Sequence, residues 1–545
     1  MRKRPYIPCK ADAAEPYVGK LGNVTSPVLQ RDGRLGLLLH PALGSSRVRS
    51  ECALGVNDVR LAISASDVHE LMPVATQQTL RRALAHERAA SPTAELALRA
   101  VASAFDCDVQ GAIALLRRAL RQTSPASDDH AYVADLLYSF VSSTGDFDES
   151  ERIIEEIVSP PLRLVPSVRA AQAMLHGVRG RRTTSRSLAR QVVATARNAV
   201  GPLLLARVLS RCAMAAYYLG DYDEARELAL ESSHVFESNG GFFGATPSWS
   251  IAAAIAQDWN GEGALAAAHW RRMSANAERA GHEGVFRTSL AARFNVAAEM
   301  FDRAEHASLK AMLSSRPLAQ QHQENYVLTI SDALGYGWKG DFDAAETALV
   351  ARSASPGLNQ SQLALMEALL SLIDTARWDV DYARARSRAA LQRSAKHPAN
   401  EPLHDRRYRE LARILAAATC FVIGDRVRGE RALSARFDRG RRYLNLIAAP
   451  YVDVTKSPEL FRGYAEFIRV ASAHARAARP SHGLTPAELE VLRVLPGGAT
   501  LAELARELEK SKNTVARQVE SIYAKLNARN RAQAIETARR LGVFS

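Results

Sequence analysis

The sequence predicts an all-α protein in which an array of helical hairpins precedes a small C-terminal unit of four short helices. Ala, Leu and Arg dominate the composition and aromatic residues make up only 6%, which favours helix over sheet. A Gly-Asp-aromatic-Asp signature recurs at regular spacing, and capped amphipathic segments fill the last sixty-odd residues. We therefore expect a segment of undecided structure at 1–75, repeats at 76–470, a linker at 471–483 and a terminal unit at 484–545.

Length and composition limit the protein class. A chain of 545 residues is too long for one compact core, and 47% hydrophobic with 24% charged residues argues against global disorder. The formal net charge of +13 suits a polyanionic partner without establishing one. Five scattered cysteines form no paired pattern, and the apolar runs are too short to span a membrane. We expect a cytoplasmic protein with no membrane partner.

Residues 1–75 lack a sustained helical period. They contain Gly, Pro and short apolar runs such as Leu35–Leu39 and Val59–Ser64. A small capping element, a mixed strand-and-loop segment and a partly disordered arm all fit this pattern.

Three copies of one signature mark the repeats. They are Gly145-Asp-Phe-Asp-Glu-Ser150, Gly220-Asp-Tyr-Asp-Glu-Ala225 and Gly340-Asp-Phe-Asp-Ala-Ala345. Their separations of 75 and 120 residues are close to two and three times a period just under 40. Looser echoes fall near the missing steps, at Phe105-Asp106, Asp258-Trp-Asn-Gly261, Phe301-Asp-Arg-Ala304, Trp378-Asp379 and Gly424-Asp425.

The chemistry of the signature predicts a turn between two helices. Gly220 can supply the left-handed residue that ends one helix, and Asp221 can cap the next, with Glu224 completing a capping-box-like pair. One hairpin cannot bury its apolar face, so successive hairpins must stack into a solenoid. The pattern resembles tetratricopeptide-type (TPR-like) repeats with degenerate motifs.

The terminal unit shows three helix starts. Thr485-Pro-Ala-Glu488 and Thr500-Leu-Ala-Glu503 each place a capping Thr three residues before a Glu, and Ser511 can cap a third helix. That third helix has an apolar stripe for the core at Val515, Val519, Ile522 and Leu526. This arrangement is typical of a helix-turn-helix. Its opposite face carries residues able to reach DNA base edges: Asn513, Ala516, Arg517, Glu520 and Ala524.

Residues 484–543 resemble the LuxR-type (GerE-like) DNA-binding domain. The similarity lies in Thr514-Val515, Ile522-Tyr523-x-Lys525-Leu526 and Arg531-Ala-x-Ala534, and it includes a fourth helix. The resemblance implies a four-helix domain without a wing, whose third helix enters the major groove and whose fourth helix forms a homodimer. The residues expected at or near double-stranded DNA are Ser511, Lys512, Asn513, Thr514, Ala516, Arg517, Gln518, Glu520 and Lys525, of which Lys512, Thr514 and Lys525 are placed for phosphates.

Three positions depart from the family pattern. The family usually has a hydrophobic residue at Lys510, a Lys at Ala516 and a His at Gln518. The change at Ala516 removes one strong donor from the base-facing side, and the neighbouring Arg517 can replace it. The sequence preference of the family therefore cannot be copied to this chain.

The combination of repeats and tail is similar to MalT-like regulators without their ATPase module. That module requires G-x-x-x-x-G-K-[ST], and Gly19-Lys20 lacks both the earlier glycine and the following Ser or Thr. The sequence also has no H-E-x-x-H, paired-Cys zinc pattern or G-x-S-x-G. We expect no enzymatic activity, no catalytic or metal-binding residues and no cofactor.

The function predicted from these features is sequence-specific transcription regulation, with activation implied by the resemblance alone. Double-stranded DNA is the expected partner, bound by a dimer, and RNA polymerase and a signal ligand or protein are further candidates. The alternative is a helical-repeat interaction scaffold whose helix-turn-helix tail is non-essential or degenerate.

Overall fold

The computed structural model describes residues 62–86, 89–315, 322–395, 403–434, 454–478, 483–540 and 543. The chain divides into two units, Met1–Gly55 and Val56–Ser545, and all described residues belong to the second. Regular structure in the described ranges is helical, apart from an isolated bridge between Ile63 and Ala89. The all-α class is thus confirmed. The predicted run Leu35–Leu39 lies outside the described residues.

Two short helices, α1 (Ala65–Leu71) and α2 (Gln77–His86), precede a series of antiparallel hairpins. The described hairpins are α3 (Pro92–Phe105) with α4 (Val109–Leu120), α5 (Asp128–Ser143) with α6 (Phe147–Glu155), α7 (Val165–Val178) with α8 (Arg182–Ala199), α9 (Pro202–Leu219) with α10 (Tyr222–Ser238), α11 (Phe242–Ala254) and a π-helix (Ile255–Asn260) with α12 (Gly263–Ala280), α13 (Glu283–Glu299) with α14 (Arg303–Ser314), α15 (His322–Gly337) with α16 (Phe342–Ser353), α17 (Gln360–Ala376) with α18 (Val380–Ser394), and α19 (Leu403–Val422) with α20 (Arg426–Ser434).

The turn inside each hairpin contains one residue in the left-handed region. These residues recur roughly every 40 positions, which confirms the predicted period. Three of them are not glycine, and this explains why the sequence showed only loose echoes there. The echo expected at Phe105-Asp106 falls two residues later, at Cys107-Asp108. The left-handed residues are Cys107, Gly145, Gly180, Gly220, Gly261, Phe301, Gly340, Trp378 and Gly424.

The Asp after the left-handed residue usually caps the next helix. Asp146 and Asp341 each accept a hydrogen bond from a backbone N–H three residues on, at 3.0 and 3.2 Å. The expected capping by Asp221 is wrong. Its carboxylate instead accepts two hydrogen bonds from Arg186, from Nε at 2.7 Å and from Nη2 at 2.5 Å. A bidentate charge-assisted pair is stronger than one bond from a neutral amide.

Helix α21 (Arg462–Ala478) does not continue the series of hairpins. It packs against α13, α15, α17 and α19, which are the first helices of four successive hairpins. Tyr464 and Phe467 are completely buried there. The first helices of the last four hairpins therefore share one face that α21 covers.

The predicted linker at 471–483 is wrong over its first part. Residues 471–478 belong to α21, because Ala471 and Ala475 extend the buried stripe that begins at Phe467 with a spacing of four residues. Residues 479–482 lie outside the described ranges.

A buried polar network joins α21 to distant parts of the array. Arg407 on α19 donates two hydrogen bonds to Glu299 on α13, at 2.8 and 2.7 Å. Tyr464 on α21 donates to the same carboxylate at 3.2 Å, and Gln257 of the π-helix donates at 3.0 Å. Burial raises the pKa of Glu299, and the adjacent Arg407 opposes that shift. The network ties four non-consecutive elements together.

A second buried network fixes α1 to the first hairpins. His69 on α1 lies 2.8 Å from Asp135 on α5, and Arg211 on α9 donates to the same carboxylate at 2.7 Å. Burial, reinforced by the nearby Arg207, lowers the pKa of His69 to about 4. The imidazole is therefore neutral at pH 7, and its contact with Asp135 is a hydrogen bond.

Candidate nucleic-acid interface

Four short helices form the C-terminal unit: α22 (Pro486–Val494), α23 (Leu501–Glu507), α24 (Lys512–Lys525) and α25 (Arg531–Arg540). They share a core of their own, and the predicted stripe of α24 lies in it. The buried core residues are Leu484, Val491, Leu492, Leu495, Leu504, Ala505, Val515, Val519, Ile522, Leu526, Ala534 and Ala538. The period of the apolar residues thus identified the inner face of α24 correctly.

The predicted helix starts are confirmed. Thr485 with Glu488 and Thr500 with Glu503 each form a complete capping box. Ser511 caps α24, its hydroxyl accepting a hydrogen bond from the Thr514 N–H at 3.1 Å.

The tight turn between α23 and α24 depends on Glu509, which adopts a left-handed conformation with φ 52°. The next amide, that of Lys510, then donates to the carbonyl of Ala505 at 2.9 Å. Such a bond closes the end of α23 and directs the chain into α24, as a helix-turn-helix requires.

The outward face of α24 is open to solvent. Asn513, Arg517 and Glu520 are exposed, and Ala516 beside them is half-buried. Lys512 is exposed at the first turn, next to Ser511 and Thr514. The structure therefore places the predicted base-facing residues side by side on one accessible helix face, the arrangement needed for entry into a major groove.

Lys525 has a different environment from the other predicted residues. Its ammonium lies 2.8 and 2.7 Å from the two carboxylate oxygens of Glu488 on α22, and Ser521 donates to the same carboxylate at 2.5 Å. Burial on its own would raise the pKa of Glu488, but hydrogen bonds from Lys525, Ser521 and Thr485 outweigh burial and lower it. Lys525 thus fastens α24 to α22 in this structure.

Two departures from the family pattern have distinct surroundings. Lys510, where the family usually has a hydrophobic residue, is mostly covered and forms an ion pair with Glu490 at 2.6 Å. Gln518 is half-buried beside the core stripe, and its amide oxygen accepts no hydrogen bond from a described residue. An ion pair thus holds Lys510 at the turn, and Gln518 lies beside the base-facing surface.

Two contacts of the domain had no signal in the sequence. Arg531 donates to the backbone carbonyls of Leu495 and Ala499, at 2.8 and 2.7 Å, which ties α25 to the end of α22. Arg493 on α22 forms an ion pair with Asp381 at the start of α18, at 3.1 Å. The second contact connects the domain to the repeat array while the outward face of α24 stays exposed.

Two absences among the described residues concern metal binding and membrane spanning. Across those residues, no group of three or more His, Cys, Asp or Glu side chains is arranged to hold a metal ion. None of the described helices is long and apolar enough to cross a membrane.

Comparison with known proteins agrees with this geometry. Residues 482–538 match the family model described as bacterial regulatory proteins, luxR family (GerE). No curated protein matches the chain. The matched segment includes all of α22, α23 and α24 and most of α25. Residues 482–538 of this chain are therefore a LuxR-family (GerE) helix-turn-helix domain.

Proposed function

We propose that this protein is a sequence-specific transcription regulator that reads its operator through the exposed face of α24. The observation that carries the proposal is the juxtaposition of Asn513, Arg517 and Glu520 on that face, within a domain of the LuxR family. Their side chains offer an amide, a guanidinium and a carboxylate. These groups can form hydrogen bonds with adenine, guanine and cytosine edges respectively.

Affinity is expected to need more than one domain. From residue 484 onward the chain carries ten Lys or Arg and seven Asp or Glu, a small positive excess. One basic group, Lys525, is also neutralised by Glu488. A dimer doubles the phosphate contacts, and such a dimer would bind a roughly palindromic site with half-sites about one helical turn apart.

Helix α25 is the proposed dimer surface. Ala534 and Ala538 face the domain core, whereas Ala532 is exposed and Ile535 is half-buried on the outside. Small and apolar residues at these positions permit close packing of two α25 helices. The repeat array is proposed to receive a signal ligand or protein, and activation through RNA polymerase is proposed from the family resemblance.

The DNA-reading role is tested at Arg517. Mapping the bound sites of the full chain across its genome would first give the operator. Arg517→Ala should then weaken operator binding by about 1–3 kcal/mol and leave binding to unrelated DNA nearly unchanged. Arg517→Lys keeps the charge but loses the bidentate fork, so it should also lose specificity. Unchanged operator protection by both variants in footprinting would remove Arg517 from the reading face.

The alternative function is an interaction scaffold in which the repeat array is the working part. The extensive interior of the array, with α21 packed across four hairpins, gives this reading its support. Deleting residues 482–545 separates the two functions. Loss of regulated transcription on deletion supports the regulator, whereas unchanged transcript levels support the scaffold.

A further inference from the structure

The second acid of the repeat signature has a recurring partner. Asp148 and Asp343 each form an ion pair with an arginine of the next hairpin, Arg179 and Arg377 respectively. Each of these arginines also pairs with a second carboxylate, Glu151 or Glu346, three residues further along the same helix. Both arginines stand directly before the left-handed residue of that next hairpin, Gly180 in one case and Trp378 in the other. The signature thus encodes a carboxylate that takes a guanidinium from its neighbour.

A third carboxylate at this position, Asp381, pairs with an arginine of another domain in addition to Arg384 on its own helix. Asp381 follows Trp378 by three residues, as Asp148 follows Gly145. The next hairpin offers Ile423 where an arginine would stand, and Arg493 of α22 pairs with Asp381 instead. The site therefore accepts an arginine that does not come from the neighbouring hairpin.

Asp223 is the fourth carboxylate found three residues after a left-handed turn residue, and the next hairpin supplies no arginine to it. The residue before the left-handed Gly261 is Asn260, whose amide donates to Glu262 at 3.2 Å. Asp223 is exposed and forms no ion pair within the described part of the chain. An open cavity of about 390 Å³ adjoins it, lined by two arginines of α8, the turn before α10 with the first residues of that helix, and Trp259.

The cavity lining contains one more carboxylate than it has arginines. Arg186 is held by Asp221 through two hydrogen bonds, and Arg190 lies 3.9 Å from Glu224. Arg226 follows Asp223 by three residues on α10, as Arg384 follows Asp381, but it does not line the cavity. The lining contains two arginines and three carboxylates, so its net charge is −1. That charge is complementary to a single cation.

Aromatic side chains form part of the cavity wall. Trp259 lies against Tyr222, with ring centroids 4.5 Å apart. Trp259 belongs to the π-helix Ile255–Asn260 and is half-buried, so part of its ring reaches solvent. A guanidinium stacks on such a surface while donating to a carboxylate, a combination that suits arginine better than lysine.

We propose that the Asp223 cavity binds the guanidinium group of an arginine, either a free amino acid or a side chain of a partner peptide. Three equivalent carboxylates in this protein pair with arginine. The cavity adds the charge, the aromatic surface and the space that a fourth arginine needs. This site lies on the repeat array, and the proposal does not depend on DNA binding.

The test is isothermal titration calorimetry of the full chain with Nα-acetyl-arginine amide and with L-arginine. Nα-acetyl-citrulline amide supplies the neutral isostere, and Nα-acetyl-lysine amide supplies the alternative cation. Asp223→Asn should weaken binding of the arginine compounds at least about fivefold. Asn260→Arg installs the missing internal arginine and should block binding. The matched control Asp343→Asn removes an equivalent carboxylate that already has Arg377, so it should leave binding unchanged.

Tighter binding of Nα-acetyl-arginine amide than of L-arginine indicates a peptide side chain as the source, and tighter binding of L-arginine indicates the free amino acid; either result supports the guanidinium site. Absence of saturable binding overturns the proposal. Equal binding of the citrulline or lysine compound also overturns it, as does binding that persists in both Asp223→Asn and Asn260→Arg.

Discussion

Replacing Lys525 with Met separates a structural role from a DNA-binding role for this residue. Met retains most of the side-chain length but cannot donate to Glu488, whose side chain is only 7% exposed. In the variant, Glu488 keeps its hydrogen bonds from Ser521 and from the backbone of Thr485. The carboxylate would therefore stay partly satisfied but lose its only counter-charge among the described contacts.

The expected cost follows from that contact. Hydrogen bonds to charged groups contribute about 1.5–3 kcal/mol, and the Lys525 side chain is one-third exposed, so a loss of about 2 kcal/mol is expected. The pKa of Glu488 lies below its ordinary value of 4.5. Its contribution to stability is thus present above pH 4.5 and disappears as the pH falls through the lowered pKa. In Lys525→Met the pKa of Glu488 should move back toward 4.5, so this loss should be smaller and should be complete at a higher pH.

Hydrogen exchange of the full chain without DNA measures the effect locally. Amides in α24 should exchange roughly thirtyfold faster in Lys525→Met than in the unaltered protein. Lys512→Met is the matched control, because Lys512 is exposed on the same helix and should not alter protection. If α24 protection is unchanged in Lys525→Met while the slope of log affinity against log salt falls by about 0.9, Lys525 contacts phosphate and the structural reasoning is refuted.

Three further predictions concern the repeat array. A Cβ added at Gly145 or at Gly201 would meet no atom within 4 Å, so the two sites differ only in backbone conformation. Gly145 is left-handed with φ 84°, and Gly145→Ala should therefore lower the free energy of unfolding by about 1 kcal/mol. Gly201 has φ −68°, so Gly201→Ala should be neutral or stabilising in thermal unfolding. Arg407→Met leaves the buried Glu299 without its guanidinium partner and should lower the free energy of unfolding by about 3–5 kcal/mol. The double variant Arg407→Met, Glu299→Leu removes both charges and should be closer in stability to the unaltered protein. Equal losses in the single and double variants would contradict this. Burial raises the pKa of Asp374 from 3.8 to about 6, so stability should fall as the pH rises between these values, and Asp374→Asn should abolish that step in pH-dependent unfolding.

Short-range patterns made much of the fold predictable. The apolar stripe from Val515 to Leu526 and the capping boxes at Thr485 and Thr500 involve residues within a few turns of one helix, so spacing alone identifies them. The repeat period was visible for the same reason, because each turn needs one left-handed residue followed by a capping group.

Contacts between distant segments were not predictable in this way. Asp221 has the residue type and position of a helix cap, and only the three-dimensional approach of Arg186 shows why it does not cap. Lys525 was assigned to phosphate because it is basic and close to the outward face, whereas its partner Glu488 lies 37 residues away on another helix. The assignment of 471–478 to a linker failed because alanines give only a weak apolar signal, and the packing of α21 against four other helices is what shows that Ala471 and Ala475 are buried.

The position of α21 changes what the repeat array offers to other molecules. Because α21 belongs to the same chain, it occupies the face formed by α13, α15, α17 and α19 without the loss of translational and rotational freedom that an external helix pays on binding. An external helix must outcompete this tethered occupant before it gains any affinity of its own, and the complete burial of Tyr464 and Phe467 makes that competition severe. A weakly binding helix is therefore excluded from this face of the array.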